Sequence, residues 1–409
     1  MNIKQLIPKT TASFDSASTE RIKSSYPLSP FDKRTIDFIS ELSKEILSDN
    51  EYNRIPAFTA LGFWLRKSNI DRIHKENIHL FNNASISCSP AGLVFHVCPS
   101  NVDTIFIYSL VVSLLAGNKN IIRLSHRTNH PYIQFIIDKF NFLLEKPENN
   151  VLREYIYIVS YEHEDEINSF FSEIADIRMI WGGNNTINLF RNIKTNPRTK
   201  DIVFADRLSY AIFNSSEILK LSDNDLKELV RKFYNDSFTF DQLGCSSPQL
   251  IFFKGDDEDN LKAKQKLYKL LLEISIRNYD ADMPSITSLK FNKLVDDVLD
   301  GSINGYYSDD FHLVFAPVEE NKNIEHSCGA GYFYTKDIKH WTEITPFISK
   351  KIQTITYFGF ANNEIIELIK NIAGLGCDRI VPVGKALEFD YIWDGYNLLD
   401  ELLVKRKIL

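Results

Sequence analysis

Five cysteines occur in the 409 residues, and Cys245 sits in the run best suited to chemistry, Thr239-Phe240-Asp241-Gln242-Leu243-Gly244-Cys245-Ser246-Ser247-Pro248-Gln249. A thiol among small and turn-forming residues, just ahead of the apolar stretch 250–253, can stand exposed at the end of a sheet. There its ionised sulfur can attack a carbonyl. The competing reading is an inert buried thiol, the commoner fate of a cytosolic cysteine. The flanks favour the nucleophile. Gly244 removes a side chain beside the sulfur, and Ser246 and Ser247 bring adjacent amides and hydroxyls.

Three further runs carry chemistry. In Cys98-Pro99-Ser100-Asn101-Val102-Asp103, the Asn101 amide could donate to an oxyanion, or simply cap the helix that follows. Trp181-Gly182-Gly183-Asn184-Asn185-Thr186 takes a strand through two glycines into a helix, a place where backbone amides can approach a phosphate. A tight turn with no ligand fits it equally well, and the GxGxxG fingerprint is absent. Gly117 to Arg127 gathers Arg123, His126 and Arg127 at a strand end. These could grip a nucleotide 2′-phosphate or form a solvated basic turn. No spacing pairs His96, His163 or His326 with Cys245, and no metal-ligand motif occurs.

The elements that would position these groups alternate. Apolar residues at three- and four-residue spacing predict a helix over 31–48, and a second covers 57–66 with Phe63 and Trp64 facing inward. Strands follow at 93–97, 120–124, 155–159 and 177–181, with helices at 103–115, 132–145 and 164–173 between them. Repeated βαβ units imply right-handed crossovers and a mainly parallel sheet, with ligands at the carboxyl ends of its strands. A second α/β block has helices at 222–234, capped by Ser222, and 261–279. Its strands are expected at 250–253, 312–315 and 354–358. The first 30 residues are expected to be an irregular lead-in, and the acidic run 255–259 a solvated loop.

Bulk properties remove several classes. The formal charge is −7 and the sequence pI about 5.8, which argues against a nucleic-acid groove. The longest apolar run, 105–116, is too short for a membrane span, and no apolar signal core opens the sequence. Scattered cysteines, odd in number, fit a reducing cytoplasmic compartment.

Taken in order, these features resemble the aldehyde dehydrogenase superfamily, and within it the long-chain acyl-CoA reductase family. The most specific pieces are Phe240 to Gln249 and the run Gly376-Cys377-Asp378-Arg379-Ile380-Val381-Pro382-Val383-Gly384-Lys385-Ala386-Leu387, followed by Ile392-Trp393-Asp394-Gly395-Tyr396. The resemblance implies two α/β domains with parallel sheets and a small oligomerisation extension. Residues 1–208 would hold the N-terminal helices and the nicotinamide-binding domain, 209–384 the catalytic domain, and 385–409 a tail for oligomer or partner contact.

The resemblance makes Cys245 the acyl-accepting nucleophile and Asn101 the oxyanion donor. Arg123, with Ser125 after it, would hold the adenine ribose. Gly182, Gly183 and Asn184 form the pyrophosphate turn. Phe204 stands where hydrolytic members carry a glutamate base, with Asp206 the nearest carboxylate. Thr356 stands where they carry the glutamate that grips the nicotinamide ribose, with Phe358 beside it.

The implied activity is NADPH-dependent reduction of a fatty acyl thioester, on CoA or on a protein, to an aldehyde through an acyl-cysteine. NADH remains open. So do a CoA-acylating aldehyde dehydrogenase running oxidatively and a non-reducing, acyl-carrying scaffold subunit. A homo-oligomer and an acyl-activating or acyl-transferring partner enzyme are further implications.

Overall fold

The computed structural model describes residues 3–10, 14, 16–98, 104–125, 131–162, 164–279, 284–308, 311–320 and 324–408. Residues 1–205 together with 389–409 pack as one unit, and residues 206–388 as another.

The first unit is built on a six-stranded sheet. Its spatial order is Lys4–Ile7, Ile156–Tyr161, Lys119–Ser125, Leu93–Val97, Ile177–Trp181 and Lys200–Phe204. The first strand is antiparallel to its neighbour and all other pairings are parallel. Leu93–Val97 and Ile177–Trp181 are buried at every residue, as expected of strands covered on both faces. The chain builds outward from Leu93–Val97 on one side and then returns to its other side with Ile177–Trp181. The strand order therefore reverses between these two, creating a topological switch point.

The second unit carries another six-stranded sheet, entirely parallel. Its order is Val314–Pro317, Tyr332–Ile338, Pro248–Lys254, Leu208–Asn214, Ile352–Phe358 and Arg379–Pro382. Gly376 closes the turn before the last strand. A Cβ there would sit 1.9 Å from the Ser349 carbonyl oxygen, so only glycine fits.

The expected strands at 93–97 and 177–181 have those same bounds, and Ser222 caps the helix Asp223–Phe238 by accepting from Asp225 N. Three expectations are corrected. The N-terminal lead-in contains regular elements: Lys4–Ile7 pairs with the sheet edge and Ser16–Ser24 is a helix. The acidic run is solvated but begins a helix. Asp256 caps Asp257–Asn278, and Asp257, Glu258 and Asp259 occupy the first turn, where the helix dipole favours negative charge. Phe63 does not face inward. It is 48% exposed under the Arg66 guanidinium, whereas Trp64 is buried.

The helix Pro284–Leu299 has reversed polarity. Lys290 and Asp297 are fully buried while Phe291, Val295, Val298 and Leu299 are exposed. Asp297 accepts from the Tyr332 and Tyr334 hydroxyls, each at 2.8 Å, and from Lys293 Nζ at 2.8 Å. The tail folds back on the first unit. Leu403–Lys407 pairs antiparallel with Ile86–Pro90, and Leu398, Leu399 and Leu402 are fully buried in that unit's core. No helix among the described residues is long and apolar enough to cross a membrane.

Candidate active site

Cys245 is the one exposed cysteine of the five, and none is in a disulfide. It occupies the loop between the helix Asp223–Phe238 and the strand Pro248–Lys254. This is the amino edge of the second sheet, so the carboxyl-end rule for ligand sites does not locate it.

Long-range bonds hold the loop. Asp241 and Gln242 adopt left-handed φ values of 52° and 62°, a conformation that non-glycine residues keep only when their surroundings impose it. Gln242 supplies that constraint. Its side chain, fully buried, donates to the Pro248 carbonyl at 2.9 Å and the Tyr332 carbonyl at 3.2 Å, and accepts from Gly331 N at 2.9 Å. Gln249 Nε2 donates to the Gln242 carbonyl. The Cys245 carbonyl accepts from Ser209 Oγ at 2.7 Å, and that oxygen in turn accepts from Thr354 N at 3.1 Å. Gly329 backs the loop at a distance no side chain allows, since a Cβ would lie 2.8 Å from the Asp241 carbonyl oxygen. The Cys245 loop is thus tied to the strands on either side of it.

The other thiols are unsuited to attack. Burial pushes Cys98 far up, Cys377 to about 12 and Cys328 to about 11, and raises Cys88 as well. Asp236, on the helix leading into the loop, is a buried carboxyl that accepts from Gly384 N at 2.6 Å and Ala386 N at 3.1 Å. Burial lifts it to about 7; the two backbone donors and nearby Arg379 oppose that rise and Glu388 adds to it.

The folded state therefore keeps the Asp236 proton well above the pH at which the unfolded chain, with an ordinary carboxyl near 3.8, loses it. Its stabilising contribution is complete below about pH 4 and is lost as pH rises through about 7. Asp236→Asn does not titrate, and gives up one of the two backbone N–H bonds at a cost that is the same at every pH. Urea midpoints of wild type and variant should thus diverge in favour of the variant between pH 5 and pH 8, by on the order of 1 kcal/mol or more. An unchanged difference across that range would show that the carboxyl does not titrate there.

In the first unit, the switch point brings together the carboxyl ends of Leu93–Val97 and Ile177–Trp181. Asn101 lies outside the described residues, as do His126, Arg127 and His163. Gly183 precedes the helix Asn184–Asn192, whose N-terminus has no side-chain cap among the described residues, an arrangement that suits an anion. Gly182 N donates to the Phe204 carbonyl at 3.1 Å, and a Cβ at Gly182 would approach Thr186 to 3.1 Å. Arg123 lies over the Tyr161 ring at 5.0 Å, with Nε buried and unbonded. Ser125 ends the same strand.

Phe204 is buried and stacked on Trp181, with centroids 3.6 Å apart, and Asp206 is exposed. In the second unit Thr356 is fully buried with Oγ1 donating to the Tyr210 carbonyl at 3.4 Å, and Phe358 is half-buried at the end of its strand. No cluster of three or more metal-ligating side chains occurs among the described residues. The bracing roles of Ser209 and Gly331, and of Gln242 toward Tyr332, are not legible in the sequence, because those partners lie far along the chain.

The chain matches the acyl-CoA reductase (LuxC) family over residues 66–405. It is 23% identical over 305 residues to the long-chain acyl-protein thioester reductase of Vibrio harveyi, covering 72% of this chain and 59% of that protein. Among solved structures, an aldehyde dehydrogenase from Brucella melitensis biovar abortus 2308 superposes with a TM-score of 0.65 at 10% identity, over 97% of this chain and 90% of that one. Lactaldehyde dehydrogenase from Escherichia coli gives 0.62 at 13% identity, over 96% and 88%. These structures establish an aldehyde dehydrogenase fold. The match over most of its length places the chain in the acyl-CoA reductase (LuxC) family.

Proposed function

We propose that the protein reduces a fatty acyl thioester to an aldehyde with NADPH, through an acyl-Cys245 intermediate. The observation that carries this reading is the one exposed thiol, on a loop braced at both ends, in a chain of the acyl-CoA reductase family. The curated relative is named for an acyl-protein thioester, so the acyl group arrives on CoA or on a protein. A homo-oligomer and an acyl-transferring partner enzyme belong to the same proposal.

The Cys245 thiolate attacks the thioester carbonyl, and the carrier thiolate leaves with the proton that Cys245 gave up. Asn101, by its place in the family pattern, donates to the developing oxyanion; one such donor is worth about 2.7–4 kcal/mol in the transition state. The amides after Gly182 and Gly183, with Asn184, fit the cofactor pyrophosphate, and Arg123 its adenosine end, where the family pattern also assigns Ser125. Thr356 and Phe358 are assigned to the nicotinamide end by the family pattern. NADPH, when bound, would supply the hydride to the acyl carbonyl; the C–S bond to Cys245 then breaks, releasing the aldehyde and returning the thiolate. Phe204 offers no carboxylate to activate water, which favours a thioester that persists until it is reduced.

Incubation with a panel of saturated acyl-CoAs and NADPH tests the proposal, following loss of the reduced-nicotinamide band and trapping the aldehyde. Consumption with an acyl-CoA of long chain is expected. No consumption at any chain length, with calorimetry showing no NADPH binding, would reduce the protein to an acyl carrier.

A further inference from the structure

A chain of four polar side chains crosses the interior of the first unit, beside the switch point. Trp181 Nε1 donates to Ser109 Oγ at 3.2 Å. Ser109 Oγ lies 2.7 Å from His96 Nδ1, and His96 Nε2 lies 2.9 Å from Asn120 Oδ1. His96, Ser109 and Asn120 are fully buried and Trp181 is 7% exposed.

The direction of every bond is determined. Asn120 Nδ2 donates to the Asn118 carbonyl at 2.8 Å and the Tyr155 carbonyl at 3.3 Å, so Oδ1 is the end that faces His96. His96 must then donate from Nε2 and accept at Nδ1. The Ser109 hydroxyl supplies that proton across 2.7 Å, in preference to its longer 3.7 Å contact with Met179 Sδ, and uses its own lone pair for the indole N–H. His96 is neutral in this arrangement, and burial, which pushes its pKa down to about 4, keeps it so.

Four polar groups in an apolar layer add little net stability over well-packed hydrophobic ones, but they accept only one geometry. They converge on one ring. Trp181 is the last strand residue before Gly182-Gly183, and its ring is also fixed from the other face by Phe204. The indole is therefore held in plane by the hydrogen bond and in tilt by the stack.

We propose that the Asn120–His96–Ser109–Trp181 chain positions the glycine turn at the switch point, so that the uncapped helix amides are preset for the dinucleotide pyrophosphate. The inference rests on the functional reading above. All four are positioning residues; none is assigned contact with the cofactor.

Ser109→Ala, Ser109→Thr and Trp181→Phe test it, with NADPH affinity by calorimetry, acylation of Cys245 by intact mass, and melting temperature read on each. Trp181→Phe keeps an aromatic ring on Phe204 but removes the N–H together with the indole's five-membered ring, so its affinity is read beside its melting temperature. Ser109→Ala and Trp181→Phe should each weaken NADPH binding at least fivefold while the rate of acylation from acyl-CoA stays within twofold. Ser109→Thr should restore the affinity, and the double variant should be no worse than the weaker single one. Unchanged NADPH affinity in variants that fold overturns the inference alone, as does a parallel loss of affinity and acylation. Should Ser109→Ala fail to fold, Trp181→Phe decides. No NADPH binding by the wild type overturns the functional reading and this inference with it.

Discussion

Replacing Cys245 with alanine will remove both the acyl-enzyme and the reductase activity, the latter by at least about a thousandfold. The structure gives no thiol that could take over. Cys98, Cys328 and Cys377 are held protonated by burial, and Cys88 is shifted the same way. Intact-mass analysis after exposure to an acyl-CoA should show one acyl adduct on the wild type and none on Cys245→Ala. At neutral pH a limiting alkylating agent should label Cys245 ahead of the other four. An adduct that survives in the alanine variant would move the nucleophile elsewhere and remove the basis of the proposed reaction.

The second large effect concerns Asp297. Its carboxylate is fully buried and takes three donors: Tyr332, Tyr334 and Lys293. Asp297→Ala leaves the Lys293 ammonium, 11% exposed, and two buried phenols without that partner. Removing one member of such a buried group costs roughly 3–5 kcal/mol, much of it from the charge left behind. For a unit of this size that is on the order of 10 °C in the melting of the second unit. Activity should fall too, because Tyr332 lends its carbonyl to Gln242, which holds the nucleophile loop. The control is Tyr334→Phe, which deletes one hydroxyl and strands no charge; it should cost about 1 kcal/mol. Equal losses for the two variants would mean that Asp297 is held no more tightly than an ordinary hydrogen-bond acceptor.

The same helix shows why part of the fold was illegible. Sequence patterns find elements whose residues mostly follow the usual rule of apolar inside and polar outside, as Leu93–Val97 and Asp223–Phe238 do apart from the buried His96 and Asp236. Pro284–Leu299 buries Lys290 and Asp297 and exposes Phe291, Val298 and Leu299, so its pattern points the wrong way. The acidic start of Asp257–Asn278 has turn-like composition because capping residues and turn residues are the same types. Lys4–Ile7 is four residues long and gains its identity only from pairing with Ile156–Tyr161. The candidate site divides likewise. Gly244 and the serines flanking Cys245 announce the thiol locally. What holds it comes from Ser209, Gly331, Tyr332 and Thr354, which no local window joins to it. The Trp181–Phe204 stack is equally non-local, although both residues drew attention separately.

The first unit is discontinuous in sequence, and that has a consequence for biosynthesis. Its core includes Leu398, Leu399 and Leu402, which leave the ribosome only after all of residues 206–388. The segment 206–388 can finish folding while the earlier half of its neighbour still waits for the last twenty or so residues. Nascent chains stalled before Phe389 should therefore present a protease-resistant later unit beside an earlier one with an exposed apolar gap. A chaperone surveying such a chain would find its target in the part translated first.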